Sequence, residues 1–107
     1  DGFLNLARID ANVGFRIDAL PPVPPVFTAI QRAGGLPDEE MYLVYNMGIG
    51  LCAIVPEADA ERTIEISREQ GIDAMRIGTV TDDAEKRVEV LPVGLVSRDG
   101  HFEKATA

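Results

Sequence analysis

The alternation of apolar and polar side chains predicts a short helix, a strand and a rigid connector in the first quarter of the chain. Residues 4–9 have the apolar spacing of one or two helical turns. Residues 13–18 alternate apolar with polar or small side chains, the period of a strand with one buried face. Residues 20–25 contain four prolines. Because proline fixes φ and lacks a backbone donor, they predict a rigid connector, with a ligand for an SH3 or WW domain as the alternative.

Two helices are predicted next. Pro25 lies in the first turn of one helix, and Gly34-Gly35 ends it. Asp38 begins a second, short helix, since acidic side chains favour the positive end of the helix dipole. The side chains expected to face inward from this second helix are Met41, Val44 and Tyr45.

A nearly uninterrupted apolar run over Met47–Val55 predicts a strand. One set of alternate residues is entirely apolar, and the other contains glycine, cysteine and isoleucine. Because neither face suits water, the run predicts a central strand that is covered on both sides.

The second half predicts the longest helix over residues 56–70, followed by two hairpins. Residues 74–80 and 86–91 are expected to pair in the first hairpin, and residues 93–102 form the second. The order of elements predicts one domain over residues 1–107, of the α/β (α+β) class. We expect a sandwich in which helices pack on a mixed or largely antiparallel sheet.

Length and charge narrow the function classes. The chain has 107 residues, with 10 basic and 18 acidic side chains and a formal net charge of −8. This charge argues against a nucleic-acid partner and against an anionic membrane surface. No apolar run is long enough to span a bilayer, no signal peptide is recognisable, and one cysteine excludes an internal disulfide. We therefore expect a cytoplasmic domain.

Catalytic and metal-binding patterns are weak. The single histidine and the single cysteine are far apart, so no metal site is predicted. Ser67 and Ser97 have no neighbouring base, His101 is expected on the surface, and Cys52 is expected to be a buried, inert thiol. The catalytic residues stay unknown.

Two segments carry candidate chemistry. Gly48 and Gly50 lie on the same face of the predicted strand 47–55 and leave a notch that admits either a closely packed helix or a ligand. Asn46 at the strand entrance either holds a ligand or caps the preceding helix. Gly2 before the first helical turn, followed by Asn5 and Arg8 at polar positions, is a candidate phosphate cradle at a helix N-terminus.

Four motifs in one order resemble phosphoribosylformylglycinamidine cyclo-ligase, the aminoimidazole ribonucleotide (AIR) synthetase family of purine biosynthesis. They are Val23-Pro24-Pro25-Val26-Phe27, Gln31-Arg32-Ala33-Gly34-Gly35, Glu39-Glu40-Met41-Tyr42 and Tyr45-Asn46-Met47-Gly48-Ile49-Gly50-Leu51. The opening Gly2-Phe3-Leu4-Asn5-Leu6-Ala7-Arg8 is similar to the segment that follows the family's Thr-Gly-Gly stretch. The resemblance implies the later part of the family's carboxyl-terminal domain.

This resemblance implies an enzyme that uses ATP and Mg²⁺ to close the imidazole ring of AIR from formylglycinamidine ribonucleotide. It also implies a homodimer whose amino-terminal domain supplies most of the ATP site. That domain is absent from these 107 residues, so the isolated chain is expected to be inactive and to need no cofactor. The alternatives are a non-catalytic binding or oligomerisation module of the same fold and a paralogous ATP-dependent synthetase.

Carried over by position, the resemblance implies six substrate-binding residues. Gly2, Asn5 and Arg8 would lie by the ribose-phosphate of the ribonucleotide. Asn46, Met47 and Gly48 would lie near the wall of the cleft.

Overall fold

A five-stranded mixed sheet forms the centre of the structure, a computed structural model that describes residues 2–105. Asp1 and the last two residues of the predicted domain lie outside the described part. The strands are β1 (Gly14–Ile17), β2 (Gly78–Thr81), β3 (Val88–Val90), β4 (Leu95–Arg98) and β5 (His101–Lys104). Their spatial order is β2-β1-β3-β4-β5. β1 and β3 run parallel and the other pairs run antiparallel, which confirms the predicted α+β class with its mixed sheet.

The sheet has one apolar face and one charged face, as strand alternation requires. On β1, Phe15 and Ile17 are buried and Arg16 between them is exposed. Val88 and Val90, the register partners of the two apolar residues, are fully buried. On the opposite face the Arg16 guanidinium lies 3.5 Å from the carboxylate of Glu89.

In the described part of the chain, four helices accompany the sheet. They are the 3₁₀ helix η1 (Phe3–Arg8) and the α-helices α1 (Pro25–Gly34), α2 (Asp38–Val44) and α3 (Ala60–Glu69). Single 3₁₀ turns occupy Glu57–Asp59 and Leu91–Val93. The predicted ends of α1 are confirmed, since Pro25 begins the helix and Gly35 ends it in the left-handed conformation. None of the helices over residues 2–105 is long and apolar enough to cross a membrane.

Helix α2 supplies the centre of the core through Met41 and Tyr42, which are 0% and 4% exposed. The expectation that Val44 faces inward is wrong, because its side chain is 45% exposed. At 3.6 residues per turn, Val44 lies about 110° around the helix from the midpoint of Met41 and Tyr42. It is also the last residue of α2, so its side chain lies at the edge of the buried face. Tyr45 is partly buried against the core.

The predicted pairing of residues 74–80 with 86–91 is wrong. β2 instead pairs antiparallel with β1, and β3 lies parallel to the other edge of β1. β1 therefore separates two strands that are neighbours in sequence. The last hairpin is confirmed, with Arg98 opposite His101 at its turn.

The predicted central strand over Met47–Val55 is also wrong. Residues 47–48 form a turn, and residues 49–55 belong to no helix or strand. Leu51 is 89% exposed. A central strand needs neighbouring strands on both edges and a layer on each face. No strand within residues 2–105 pairs with this segment.

Candidate functional site

The geometry of η1 aligns three of the predicted site residues. A 3₁₀ helix has three residues per turn, so residues three apart lie in one row along its surface. Gly2, Asn5 and Arg8 have this spacing and form such a row at the helix and its cap. The row separates two grooves on the surface of the domain.

Helix η1 is held in place by close packing on α2. The ring of Phe3, which is 6% exposed, stacks on Tyr42 with 6.4 Å between ring centroids. Gly2 lies so close to the end of α2 that an added Cβ would be 2.5 Å from the carbonyl oxygen of Tyr42 and 2.6 Å from that of Tyr45. Burial, and then the charge of Asp38, raise the pKa of the Tyr42 phenol. Tyr42 therefore acts here as a neutral packing residue.

The first groove lies between η1 and the segment 46–54 and has a volume of about 350 Å³. Its lining residues are Gly2, Phe3, Asn5, Leu6, Ile9, Asn46, Ile49, Gly50, Leu51, Cys52 and Ile54. None of these side chains is charged, and two of them, Asn5 and Asn46, carry amides. The groove is thus an apolar surface with two hydrogen-bonding groups.

The segment at the entrance of this groove is shaped by a local turn. The N–H of Gly48 donates a hydrogen bond to Oδ1 of Asn46 (2.8 Å), so this asparagine stabilises its own turn and does not cap α2. The Nδ2 group of Asn46 keeps its capacity to donate toward the groove. Met47 is buried in the core, and an added Cβ on Gly48 would be 2.5 Å from Cδ of Pro24.

The second groove, of about 250 Å³, lies on the other side of the row. It is lined by Leu4, Asn5, Arg8, Leu43 and Gly100. Arg8 is the charged side chain among these lining residues, whereas no lining residue of the first groove is charged. Asn5 borders both grooves, so one ligand that spans the row could contact both.

The six predicted substrate-binding residues therefore do not lie in a single groove. Gly2, Asn5 and Asn46 line the first groove, and Asn5 and Arg8 line the second. Met47 and Gly48 line neither groove, and the role of all six in binding stays a prediction.

Sequence reasoning missed Leu43 and Gly100, which the fold brings to Arg8 from α2 and from the β4–β5 turn. No local pattern signals such a juxtaposition. Cys52 was expected inside a strand, but it lies half-buried in the first groove. Burial raises the pKa of its thiol, which keeps it protonated at neutral pH.

Across residues 2–105, no group of three or more histidine, cysteine, aspartate or glutamate side chains is placed to hold a metal ion. The described residues therefore do not fit Mg²⁺. Charged groups do form ion pairs on the surface, such as Arg87 and Asp83 at 2.7 Å. Neither residue of this pair lines a groove.

The sequence profile of the family described as "AIR synthase related protein, C-terminal domain" matches residues 4–91. The chain is similar to the phosphoribosylformylglycinamidine cyclo-ligase of Methanococcus vannielii, with 42% identity over 105 residues, which is 98% of this chain and 27% of that protein. It is 47% identical to the enzyme of the same name from Methanocaldococcus jannaschii over 83 residues, covering 78% of this chain and 24% of that protein. The cyclo-ligase of Staphylococcus carnosus is 43% identical over 67 residues, or 63% of this chain and 19% of that protein. The chain thus spans about a quarter of the length of its curated relatives.

Proposed function

Because the chain belongs to the family of the AIR synthase related protein C-terminal domain, we propose that it is the C-terminal domain of a phosphoribosylformylglycinamidine cyclo-ligase in purine biosynthesis. The observation that carries this proposal is the 42% identity to a cyclo-ligase over 98% of the chain. The same observation favours the enzyme over a non-catalytic module, since the curated relatives carry the enzyme's name.

In this proposal the domain forms one side of the cleft that binds formylglycinamidine ribonucleotide. The guanidinium of Arg8 in the second groove attracts the phosphate, because arginine pairs with phosphate through several donors at once. The Asn5 amide on the ridge contacts the ribose, and the Asn46 amide in the first groove contacts the base precursor. The apolar lining of the first groove excludes water from the part of the substrate where the ring closes.

The remaining parts of the enzyme lie outside these 107 residues in our proposal. The other three quarters of the polypeptide would supply the ATP site, its Mg²⁺ and the contacts of a homodimer in the cytoplasm. ATP supplies the activation of the formyl oxygen that precedes ring closure. Since the described residues do not fit Mg²⁺, the metal would be held by that other part of the polypeptide.

The test is steady-state kinetics of the full-length polypeptide, with formation of AIR and ADP measured at varied ribonucleotide. Arg8→Ala is expected to raise the KM for the ribonucleotide about 10- to 100-fold, because a charge-assisted hydrogen bond contributes about 1.5–3 kcal/mol. Asn5→Ala is expected to raise it less, by roughly threefold to tenfold, because a neutral hydrogen bond contributes about 0.5–1.5 kcal/mol. Arg32→Ala is the matched control, since Arg32 lies exposed on α1 away from both grooves.

An unchanged KM in Arg8→Ala would remove Arg8 from the binding site. A full-length protein that is folded, binds ATP and forms no AIR from the ribonucleotide would refute the proposed activity itself.

A further inference from the structure

The segment Leu51–Val55 is an exposed apolar stretch, and Leu51 is the most exposed large apolar side chain among the described residues. Leu51, Ile54 and Val55 are 89%, 51% and 38% exposed, and the segment carries no charge. Scattered exposed apolar residues are ordinary, but a consecutive run marks a surface that another element covers. The pattern of this run is that of a strand with two apolar faces.

The backbone of this segment is also unpaired. Within residues 2–105, no hydrogen bond joins a backbone group of residues 50–55 to another residue. The paired positions on either side are Ile49, whose N–H donates to Asn46, and Asp59, whose N–H donates to Pro56. A row of unpaired N–H and C=O groups beside apolar side chains is the condition in which another strand adds to an edge.

The location of Gly2 identifies what can cover the segment. Gly2 lines the same groove as Leu51, Cys52 and Ile54. Gly2 therefore lies beside the unpaired backbone, where it would connect to any polypeptide that precedes it in a longer protein. The relatives are about four times as long as the matched region, and the matching family is that of a C-terminal domain. Such polypeptide has a short path to the segment.

We propose that residues 51–55 form a β-strand in the full-length protein, paired with a strand of the polypeptide that directly precedes Gly2. The partner strand has uncharged, mainly apolar side chains, because the segment it meets is apolar on both faces. A second copy of this chain is a poorer occupant, since two chains of net charge −8 repel each other. This inference concerns the fold of the domain and does not depend on the ring-closing activity.

The experiment is hydrogen–deuterium exchange of the 107-residue chain and of the full-length protein. In the 107-residue chain, the amides of residues 51–55 are expected to exchange within tenfold of the rate of an unstructured peptide. In the full-length protein they are expected to exchange at least 100-fold more slowly, because strand pairing protects them. The amides of β3 at the centre of the sheet serve as the control and are slow in both proteins.

Equal exchange of residues 51–55 in the two proteins would overturn the inference. Protection in the 107-residue chain that rises with concentration, together with a dimer in sedimentation, would assign the edge to a second copy and overturn it as well. Protection in a full-length protein that lacks ring-closing activity would refute the proposed function and leave this inference intact.

A pair of variants tests the side chains. Leu51→Lys is expected to lower the melting temperature of the full-length protein by several degrees and to leave that of the 107-residue chain unchanged, because Leu51 is covered only in the former. Leu91→Lys, at a 49% exposed position outside the segment, is the control and is expected to act alike in both. If Leu51→Lys folds in the 107-residue chain but not in the full-length protein, the result supports the inference. Equal changes of melting temperature in the two proteins contradict it.

Discussion

The two glycines of the segment 46–50 are expected to differ sharply in their tolerance of a side chain. Gly48 has φ of 97°, in the region that L-residues rarely adopt, and an added Cβ would be 2.5 Å and 2.8 Å from Cδ and Cγ of Pro24. Gly50 lacks a left-handed φ, and an added Cβ would have no heavy atom within 4 Å. Gly48→Ala therefore introduces two penalties that Gly50→Ala avoids.

The size of the effect follows from these two penalties. Forcing alanine into a left-handed conformation costs about 1–3 kcal/mol, and overpacking against a ring costs a further amount on the order of 1 kcal/mol. A lower entropy of the unfolded chain offsets about 0.4–1 kcal/mol of this in either variant. We expect Gly48→Ala to lower the free energy of unfolding by about 2 kcal/mol, and Gly50→Ala to leave it unchanged or to raise it slightly.

The assay is urea unfolding of the 107-residue chain, followed by circular dichroism, with a thermal melt as a second probe. A loss of about 2 kcal/mol lowers the melting temperature by roughly 8–16 °C in a domain of this size. Both variants should keep the m-value of the parent, because neither changes the surface buried on folding. Equal stability of the two variants would refute the assignment of Gly48 to packing against Pro24.

Two further predictions concern the sheet and its surface charges. Ser97→Ala is expected to destabilise the chain by about 1–3 kcal/mol in urea unfolding, because the buried N–H of Val88 loses its acceptor, the Ser97 hydroxyl at 2.8 Å. Ser67→Ala on α3 should change stability by less than about 0.5 kcal/mol, and similar losses in both would contradict this reasoning. The hydrogen bond from Arg87 lowers the pKa of the Asp83 carboxyl below its ordinary value of 3.8. The stability that this hydrogen bond contributes is therefore present above pH 3.8 and is lost as the pH falls through the lower pKa of the folded state. The stability difference between the parent and Arg87→Ala, measured by urea unfolding at several pH values, should therefore shrink on acidification below pH 3.8, and a difference that stays constant would contradict it.

Local sequence signals predicted those elements whose ends are set by single residues. Helix α1 begins at Pro25 and is ended by Gly35, which has a left-handed conformation. Both residues act on the backbone within one helical turn. The β4–β5 hairpin was predictable for the same reason, since its turn at Asp99 and Gly100 joins strands that pair with each other. The order and spacing of the four motifs likewise indicated the family, which the profile match over residues 4–91 confirms.

The segment 47–55 shows where local signals were insufficient. Its apolar pattern indicates that both faces of the segment are buried by other elements, but it does not indicate which elements these are. Among the described residues nothing pairs with Leu51, and the segment remains outside the sheet. A strand forms only when its backbone hydrogen-bonds to a second segment. The pattern of one segment therefore cannot show by itself that a strand is present.

The ends of α1 and the terminal hairpin could be predicted from the amino-acid sequence, because each depends on residues that are close along the chain. The class of the fold and the family could also be predicted, because the order and spacing of elements and motifs are written in the sequence itself. The parallel pairing of β3 with β1 could not, and neither could the meeting of Arg8 with Leu43 and Gly100 across a groove. The same holds for the row of Gly2, Asn5 and Arg8, whose alignment depends on η1 being a 3₁₀ helix packed on α2. These features arise from contacts between distant segments, and their free energy depends on the packing of the whole domain.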